Sequence, residues 1–279
     1  MKLLTLNTHS LEEEENMAEK QHQFVEFVLR EQPDIIALQE VNQTIAAEAY
    51  HGPAYGLHQI LGNVSLHKDN HALQIARLLH EGGQDYHWVW LPAKIGYSKY
   101  DEGLALFSKK PIISCENLLA SVVNEYENYR TRRIPGIRTE DGWFYSVHLS
   151  WWNDPDEPFI DQWTRLQPVL NAHKSSKLCV LMGDFNSDAR IAGESADAVA
   201  ASGFFDTYVL ADEKDGGMTV GGLIDGWENQ PEKGPKRIDQ IWLSEMCPVK
   251  NSRVIFNGEN EPVVSDHYGV LVELDLKQN

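Results

Sequence analysis

Three hydrophobic runs, far apart in the chain, end on residues able to hold a divalent cation and a phosphate. They are Ile-Ala-Leu-Gln-Glu ending at Glu40, Val-Leu-Met-Gly-Asp-Phe-Asn over 180–186, and Ser-Asp-His over 265–267. Glu40, Asp184, Asp239 and Asp266 each fall at or beside the expected end of a strand. Hard oxygen donors of this kind suit Mg²⁺, which takes one or two carboxylates, waters and a substrate phosphate. Mn²⁺ accepts the same donors. Asn7 ends the first strand and Asn186 stands two residues after Asp184. An amide can orient a phosphate oxygen or complete a metal shell, although Asn7 alone reads equally as a helix cap or turn residue. His148 and His267 sit at strand ends beside carboxylates, where histidine serves as general base, general acid or phosphate donor. His9, two residues past Asn7, has an intermediate context, and the other eight histidines lack one.

Two further groups bear on substrate. Arg130, Arg132 and Arg133, with Arg138 nearby, form a basic cluster in an acidic chain. Guanidinium matches phosphate with a bidentate fork, while the alternative is a salt-bridged surface loop. Trp151, Trp152, Trp163 and Trp227 lie among Asp, Asn and Glu, including Asp225. Aromatic faces beside carboxylates are what a saccharide site uses; packing of loops onto the core is the competing explanation.

The strands and helices that must position these groups alternate through the chain without a clean linker. Strands are expected over 2–7, 35–38, 86–91, 103–108, 143–149, 178–182, 237–243, 253–256 and 269–276. Helices are expected over 12–30, 43–50, 70–79, 159–174 and 191–202, and long loops over 50–70, 95–102, 125–141, 151–158 and 211–236. The expected architecture is a single α/β domain spanning 1–279, with two sheets and outer helices.

The chain has 279 residues and a formal net charge of −18. A polyanion is normally held by a Lys/Arg footprint, so nucleic acid is an unfavourable partner. No stretch is long and apolar enough to span a bilayer. Residues 1–6 read as a strand rather than a signal peptide, and three unpatterned cysteines suit a reducing compartment. A cytoplasmic location is expected; the oligomeric state is not legible.

Asn7, Gln39-Glu40, Ser146-Val147-His148, Gly183-Asp184-Phe185-Asn186, Arg237-Ile238-Asp239 and Ser265-Asp266-His267 stand in the order found in the endonuclease/exonuclease/phosphatase superfamily. The chain resembles that superfamily over almost its whole length. The resemblance implies a four-layered α/β sandwich, two packed mixed β-sheets flanked by helices, as in deoxyribonuclease. It implies Glu40 as the principal Mg²⁺ ligand with Asn7 and Asp266 nearby. Asp184 and Asn186 would orient the attacking water and the phosphate, and His148 would bind phosphate oxygens. His267, paired with Asp239, would be the base or a phosphate donor. Tyr100 and Glu102 resemble a Tyr and Glu of the deoxyribonuclease branch, where the Glu holds the equivalent of His148. Arg133, or its neighbour Arg132, resembles a phosphate-binding arginine.

The start over 3–10, the Trp151-Trp152 pair and the Ile-Asp-Gly-Trp loop over 224–227 resemble a narrower group. It comprises small cytoplasmic proteins of low-GC Gram-positive bacteria, among them maltose 6'-phosphate phosphatases. On that resemblance Trp151, Trp152, Asp225 and Trp227 would line a disaccharide pocket, and the substrate would be a phosphorylated sugar. A phosphodiesterase of the same superfamily, nuclease or sphingomyelinase-like, is the alternative.

Overall fold

The computed structural model describes all residues except 13–15, 61–63, 223, 225–226, 228–233 and 276–279. In chain order the first half holds β1 (Lys2–Asn7), α1 (Met17–Glu31), β2 (Ile35–Thr44), α2 (His71–Glu81), β3 (His87–Gly96), β4 (Tyr100–Ser108), β5 (Ser114–Leu119), β6 (Arg133–Arg138) and β7 (Gly142–His148). The second half holds α3 (Phe159–Lys174), β8 (Leu178–Asp184), α4 (Ser195–Ala201), β9 (Phe205–Asp206), α5 (Thr207–Leu210), β10 (Ala211–Lys214), β11 (Asp239–Leu243), β12 (Val249–Ile255) and β13 (Gly269–Leu274).

The strands form two mixed sheets, ordered β10-β12-β13-β1-β2-β4-β3 and β5-β6-β7-β8-β11-β9. Period-two alternation splits their apolar residues between two faces. Leu3, Ala37, Leu106, Phe144, Val180 and Met182 meet in the core between the sheets. Leu4, Ile36, Leu38 and Phe107 turn the other way and pack under α1 and α2. On the far side Tyr145, Leu181 and Trp242 pack under α3 through Phe159, Trp163 and Leu166. The result is the expected four-layered sandwich. Among the described residues no helix is long and apolar enough to cross a membrane.

Several elements differ from the sequence expectation. No helix forms over 43–50: β2 runs on to Thr44, because Val41 to Thr44 pair with Gly103 to Tyr100 of β4. Strand pairing here overrides local helical spacing. The stretch 95–102 is a tight hairpin rather than a loop, with Gly96 opposite Tyr100. Part of 125–141 is β6, paired in full with β5. The helix of 191–202 shortens to Ser195–Ala201, and the first helix begins at Met17 rather than Glu12.

Candidate active site

The site is assembled by strand direction. β1 and β2 are parallel, as are β7 and β8, so Asn7, Gln39, His148 and Asp184 all reach the same edge. β11 runs antiparallel to β8, which sets its first residue, Asp239, directly opposite Asp184. β13 runs antiparallel to β1, so Ser265, Asp266 and His267, just before it, arrive at that edge too. Ser265 Oγ donates to the carbonyl of Asn7 at 2.8 Å and fixes the approach. α/β folds commonly place their sites outside the carboxyl ends of strands.

Two backbone irregularities re-aim side chains into this edge. The β2–β4 register slips between Leu38 and Val41, and the β3–β4 register slips between Pro92 and Lys94. Both slips flank Gly103, which pairs with Val41 on one side and Pro92 on the other. A Cβ there would lie 2.5 Å from Trp90 Nε1, so only glycine fits. A one-residue bulge transfers the following side chains to the opposite face. Glu40 takes a left-handed backbone, φ 49°. Its carbonyl is held there by Thr8 Oγ1 at 2.9 Å and Ser10 Oγ at 2.7 Å. Asn186 (φ 47°) and His9 (φ 40°) are also left-handed, a cluster of uncommon conformations typical of functional sites.

The polar groups are tightly connected. Asn7 Nδ2 donates to Glu40 Oε1 at 2.8 Å and to Asp184 Oδ2 at 3.2 Å. His9 Nδ1 lies 3.1 Å from Glu40 Oε2. His148 Nε2 is 3.8 Å from Glu40 Oε1 and 3.7 Å from Asp184 Oδ2. His267 Nδ1 is hydrogen-bonded to Asp239 Oδ2 at 2.9 Å, and its Nε2 is 4.0 Å from Asp184 Oδ2. The backbone N–H of Asn186 donates to Asp184 Oδ1, and its Nδ2 to the carbonyl of Leu149. Thr219 Oγ1 accepts from the backbone N–H groups of Ile238 and Asp239, orienting the start of β11.

Burial and charge pull these groups in different directions. Burial opposes a charge on His267, yet Asp239 and then Asp184 outweigh it and push its pKa up to about 10. Burial pushes Asp184 upward; Asp239 and Glu40 add to the rise and His267 opposes it. Burial acts against charge on Glu40 too, but the His9 bond, His148 and the Asn7 amide hold its carboxyl well below the usual range. His148 is driven well down, first by burial and then by Arg132. Burial alone would lower His9, but its bond to Glu40 lifts it to about 9.

These residues fit a divalent cation. A carboxylate oxygen of Asp184 and one of Asp239 lie within 4.8 Å of each other and of a His267 nitrogen; with His267 held protonated by Asp239, the carboxylates and not the imidazole are the donors a cation would take. Asp239 Oδ1 is buried without a hydrogen-bond partner among the described residues, a state a buried oxygen seldom keeps. Glu40 presents its carboxylate to the same cavity as Asp184 and Asp266. That cavity, of about 290 Å³, is also lined by Lys94, Arg132 and His148. Exposed Tyr97 and Tyr129 stand at its rim beside Trp151.

The structure brings Asn7, His9, Glu40, His148, Asp184, Asn186, Asp239, Asp266 and His267 together at one edge, with Arg132 and Trp151 beside them. Of the other described candidates, Glu102 alone lines the cavity. Tyr100 is buried and donates to the carbonyl of Leu11 at 2.8 Å, away from the cavity. Arg133 binds Asn117 and Asn124 instead, because neighbours on a strand face opposite ways. Glu102 lines the cavity but pairs with Lys94 at 3.2 Å rather than with His148. Trp152 packs on Phe159, centroids 5.9 Å apart. Trp227 is buried under the Lys236 ammonium and donates to Asn186 Oδ1 at 3.3 Å, so it supports the site without offering a ring face to a sugar. Asp225 lies outside the described residues. Sequence reasoning missed Lys94, Tyr97, Tyr129 and Thr219. Lys94 is the one with a signal, a lysine inside the apolar stretch Trp88–Ile95.

Two packed mixed sheets with this acid and histidine cluster at their common edge define the deoxyribonuclease-like class of fold. The chain belongs to the endonuclease/exonuclease/phosphatase family, whose profile matches residues 4–267. The family comprises hydrolytic phosphoesterases that depend on divalent metal. An endonuclease/exonuclease/phosphatase family protein from Leptotrichia buccalis C-1013-b is 33% identical, with 99% of this chain and 100% of that chain covered and a TM-score of 0.83. A mannosyl-6-phosphatase from Bacteroides thetaiotaomicron VPI-5482 is 17% identical, covered 99% and 100%, with a TM-score of 0.67. A 3' phosphatase from Neisseria, bound to product DNA hairpin, is 18% identical, covered 99% and 100%, with a TM-score of 0.60. These last two share the fold. A search of curated proteins found no match.

Proposed function

We propose that the protein is a Mg²⁺-dependent phosphatase that hydrolyses a phosphate monoester of a sugar, with maltose 6'-phosphate as the first candidate. The observation that carries this reading is the division of one cavity: carboxylates of Glu40, Asp184 and Asp266 on the acidic part, Arg132 on the basic part. Arg132 is buried, and its Nε has no hydrogen-bond partner among the described residues. A guanidinium so placed is prepared for an oxyanion.

The chain's own residues suit in-line hydrolysis. Asp184, lifted by burial, takes the proton of the attacking water, and Asn7 and Asn186 fix its carboxylate. His267, kept cationic by Asp239, donates to a phosphoryl oxygen rather than acting as the base. His148 and Arg132 hold the other oxygens. When bound, the metal offsets the charge that gathers on those oxygens. Glu40, held anionic, would hold it together with Asp266 on the same cavity wall.

The substrate class follows from charge and rim chemistry. A net charge of −18 disfavours a polyanion, while Tyr97, Tyr129 and Trp151 at the mouth suit a sugar ring. A cytoplasmic location agrees with the free Cys115, Cys179 and Cys247. The test is phosphate release, with Mg²⁺ or EDTA, from maltose 6'-phosphate, trehalose 6-phosphate and glucose 6-phosphate beside plasmid DNA and sphingomyelin. Mg²⁺-dependent release from maltose 6'-phosphate is expected. Cleavage of DNA or sphingomyelin with none of the sugar phosphates would overturn the substrate reading, and turnover in EDTA would overturn the metal.

A further inference from the structure

One cation of the cavity, Lys94, has no part in the hydrolysis described so far. Lys94 is 7% exposed, and lysine is rarely found so deep. It reaches the cavity only because the register slip before it transfers it from the Trp90 face of β3 to the face between the sheets, opposite Glu102. Its Nζ lies 3.2 Å from Glu102 Oε1 and donates to the carbonyl of Tyr129 at 3.0 Å. An ammonium has three donors, and these contacts use two.

Charge balance gives the third donor a direction. Arg132 lines the same cavity, close enough to oppose the lysine's charge. Glu102 is the carboxylate paired with Lys94, and no ion pair holds Arg132 among the described residues. Two cations therefore stand at a buried wall with one carboxylate, Glu102, in ion-pair contact and Glu40 acting on Lys94 only across the cavity, a costly arrangement that an anion between them would relieve. A phosphate diester brings one negative charge; a monoester near neutral pH brings close to two.

We propose that Lys94 is a specificity-determining residue, donating its third N–H to a terminal phosphoryl oxygen beside Arg132 so that a dianionic monoester is taken in preference to a diester. This rests on the phosphatase reading and adds the residue that separates monoesters from diesters. The competing explanation is structural: Lys94 simply pins the Tyr129 loop to the β3–β4 hairpin.

The test compares kcat/KM for p-nitrophenyl phosphate and bis(p-nitrophenyl) phosphate, with Mg²⁺, in wild type, Lys94→Met and the double variant Lys94→Met/Glu102→Gln. The double variant leaves no unpaired carboxylate behind. Loss of one charge-assisted bond predicts that the monoester-to-diester ratio falls about tenfold or more in both variants. A parallel fall for both substrates, or an unchanged ratio, overturns the proposal in favour of the structural role. Failure of the phosphatase reading appears elsewhere, in a wild type inert toward every monoester. In that case calorimetric titration of inorganic phosphate decides: about tenfold weaker binding in Lys94→Met sustains the anion contact, and equal binding overturns it.

Discussion

Asp184 is buried among Asp239, Glu40 and His267, and its carboxyl is pushed upward by burial and by its acidic neighbours. The position suits proton transfer and costs stability, since like charges held in a water-poor site repel. Replacement by asparagine keeps the shape and removes the charge. Asp184→Asn is expected to lower kcat about 10³-fold or more. The same change should raise the melting temperature of the metal-free protein by about 2–4 °C. Phosphate release and scanning calorimetry check the two halves, and a lower melting temperature would mean that the His267 attraction outweighs the repulsion. The sequence showed that Asp184 ends an apolar run beside Asn186. It could not show that the acid lies within reach of Asp239, 55 positions away in the chain, because only the β8–β11 register sets them opposite.

At the scale of elements, the site depends on close approach of strands. Gly183 immediately precedes Asp184 with φ 145°, and a Cβ on it would lie 2.1 Å from the carbonyl of Val147 on β7. Gly183→Ala must therefore push β7 and β8 apart where His148 and Asp184 face each other. A loss of about 2–3 kcal/mol is expected from such overpacking, read as a lower urea midpoint, with activity falling further than stability alone accounts for. Strand ends were legible because Ile35–Leu38 and Leu178–Met182 are continuous apolar runs, the pattern of doubly buried strands. The bulges were not. Nothing local in Leu-Gln-Glu-Val or Pro-Ala-Lys announces a register slip; it arises where β2 and β3 both accommodate Gly103 of β4. The stretch 43–50 follows the same rule, its helical spacing yielding to the β4 partner.

At the scale of the whole molecule, metal and pH act on the folding equilibrium. An ion that binds the assembled carboxylates but not the unfolded chain stabilises by mass action, about 2.7 kcal/mol at a hundred times its Kd. Millimolar Mg²⁺ should thus raise the melting temperature, and Glu40→Gln should remove most of that rise. His71, buried at the start of α2 beside Gln21, titrates at about 4 because burial disfavours its charge. Its folded value lies below the ordinary 6.5, so between these values the unfolded chain binds the extra proton. Stability is retained above pH 6.5 and lost as pH falls toward 4, by on the order of 1–3 kcal/mol from this group. His71→Gln should flatten the decline of the urea midpoint between pH 7 and 4.5; an unchanged slope would remove His71 as its cause.

The class of fold, the family, and the acids, amides and histidines of the candidate site were legible in the chain before it folded. Most of these end a hydrophobic run or follow one closely, while Asp239 opens the strand it belongs to, and burial of such runs dictates where their polar ends emerge. Tertiary structure alone decided which neighbours in the chain point inward: Arg132 and not Arg133, Trp151 and not Trp152, Lys94 although it lies in an apolar strand. For the arginines and Lys94 that choice follows from extended chain and the register imposed by its partners; Trp151 and Trp152 lie in the turn after β7, which sets them apart. Register is a property of the pairing, set by contacts among segments distant in the chain, and so is written in no single segment.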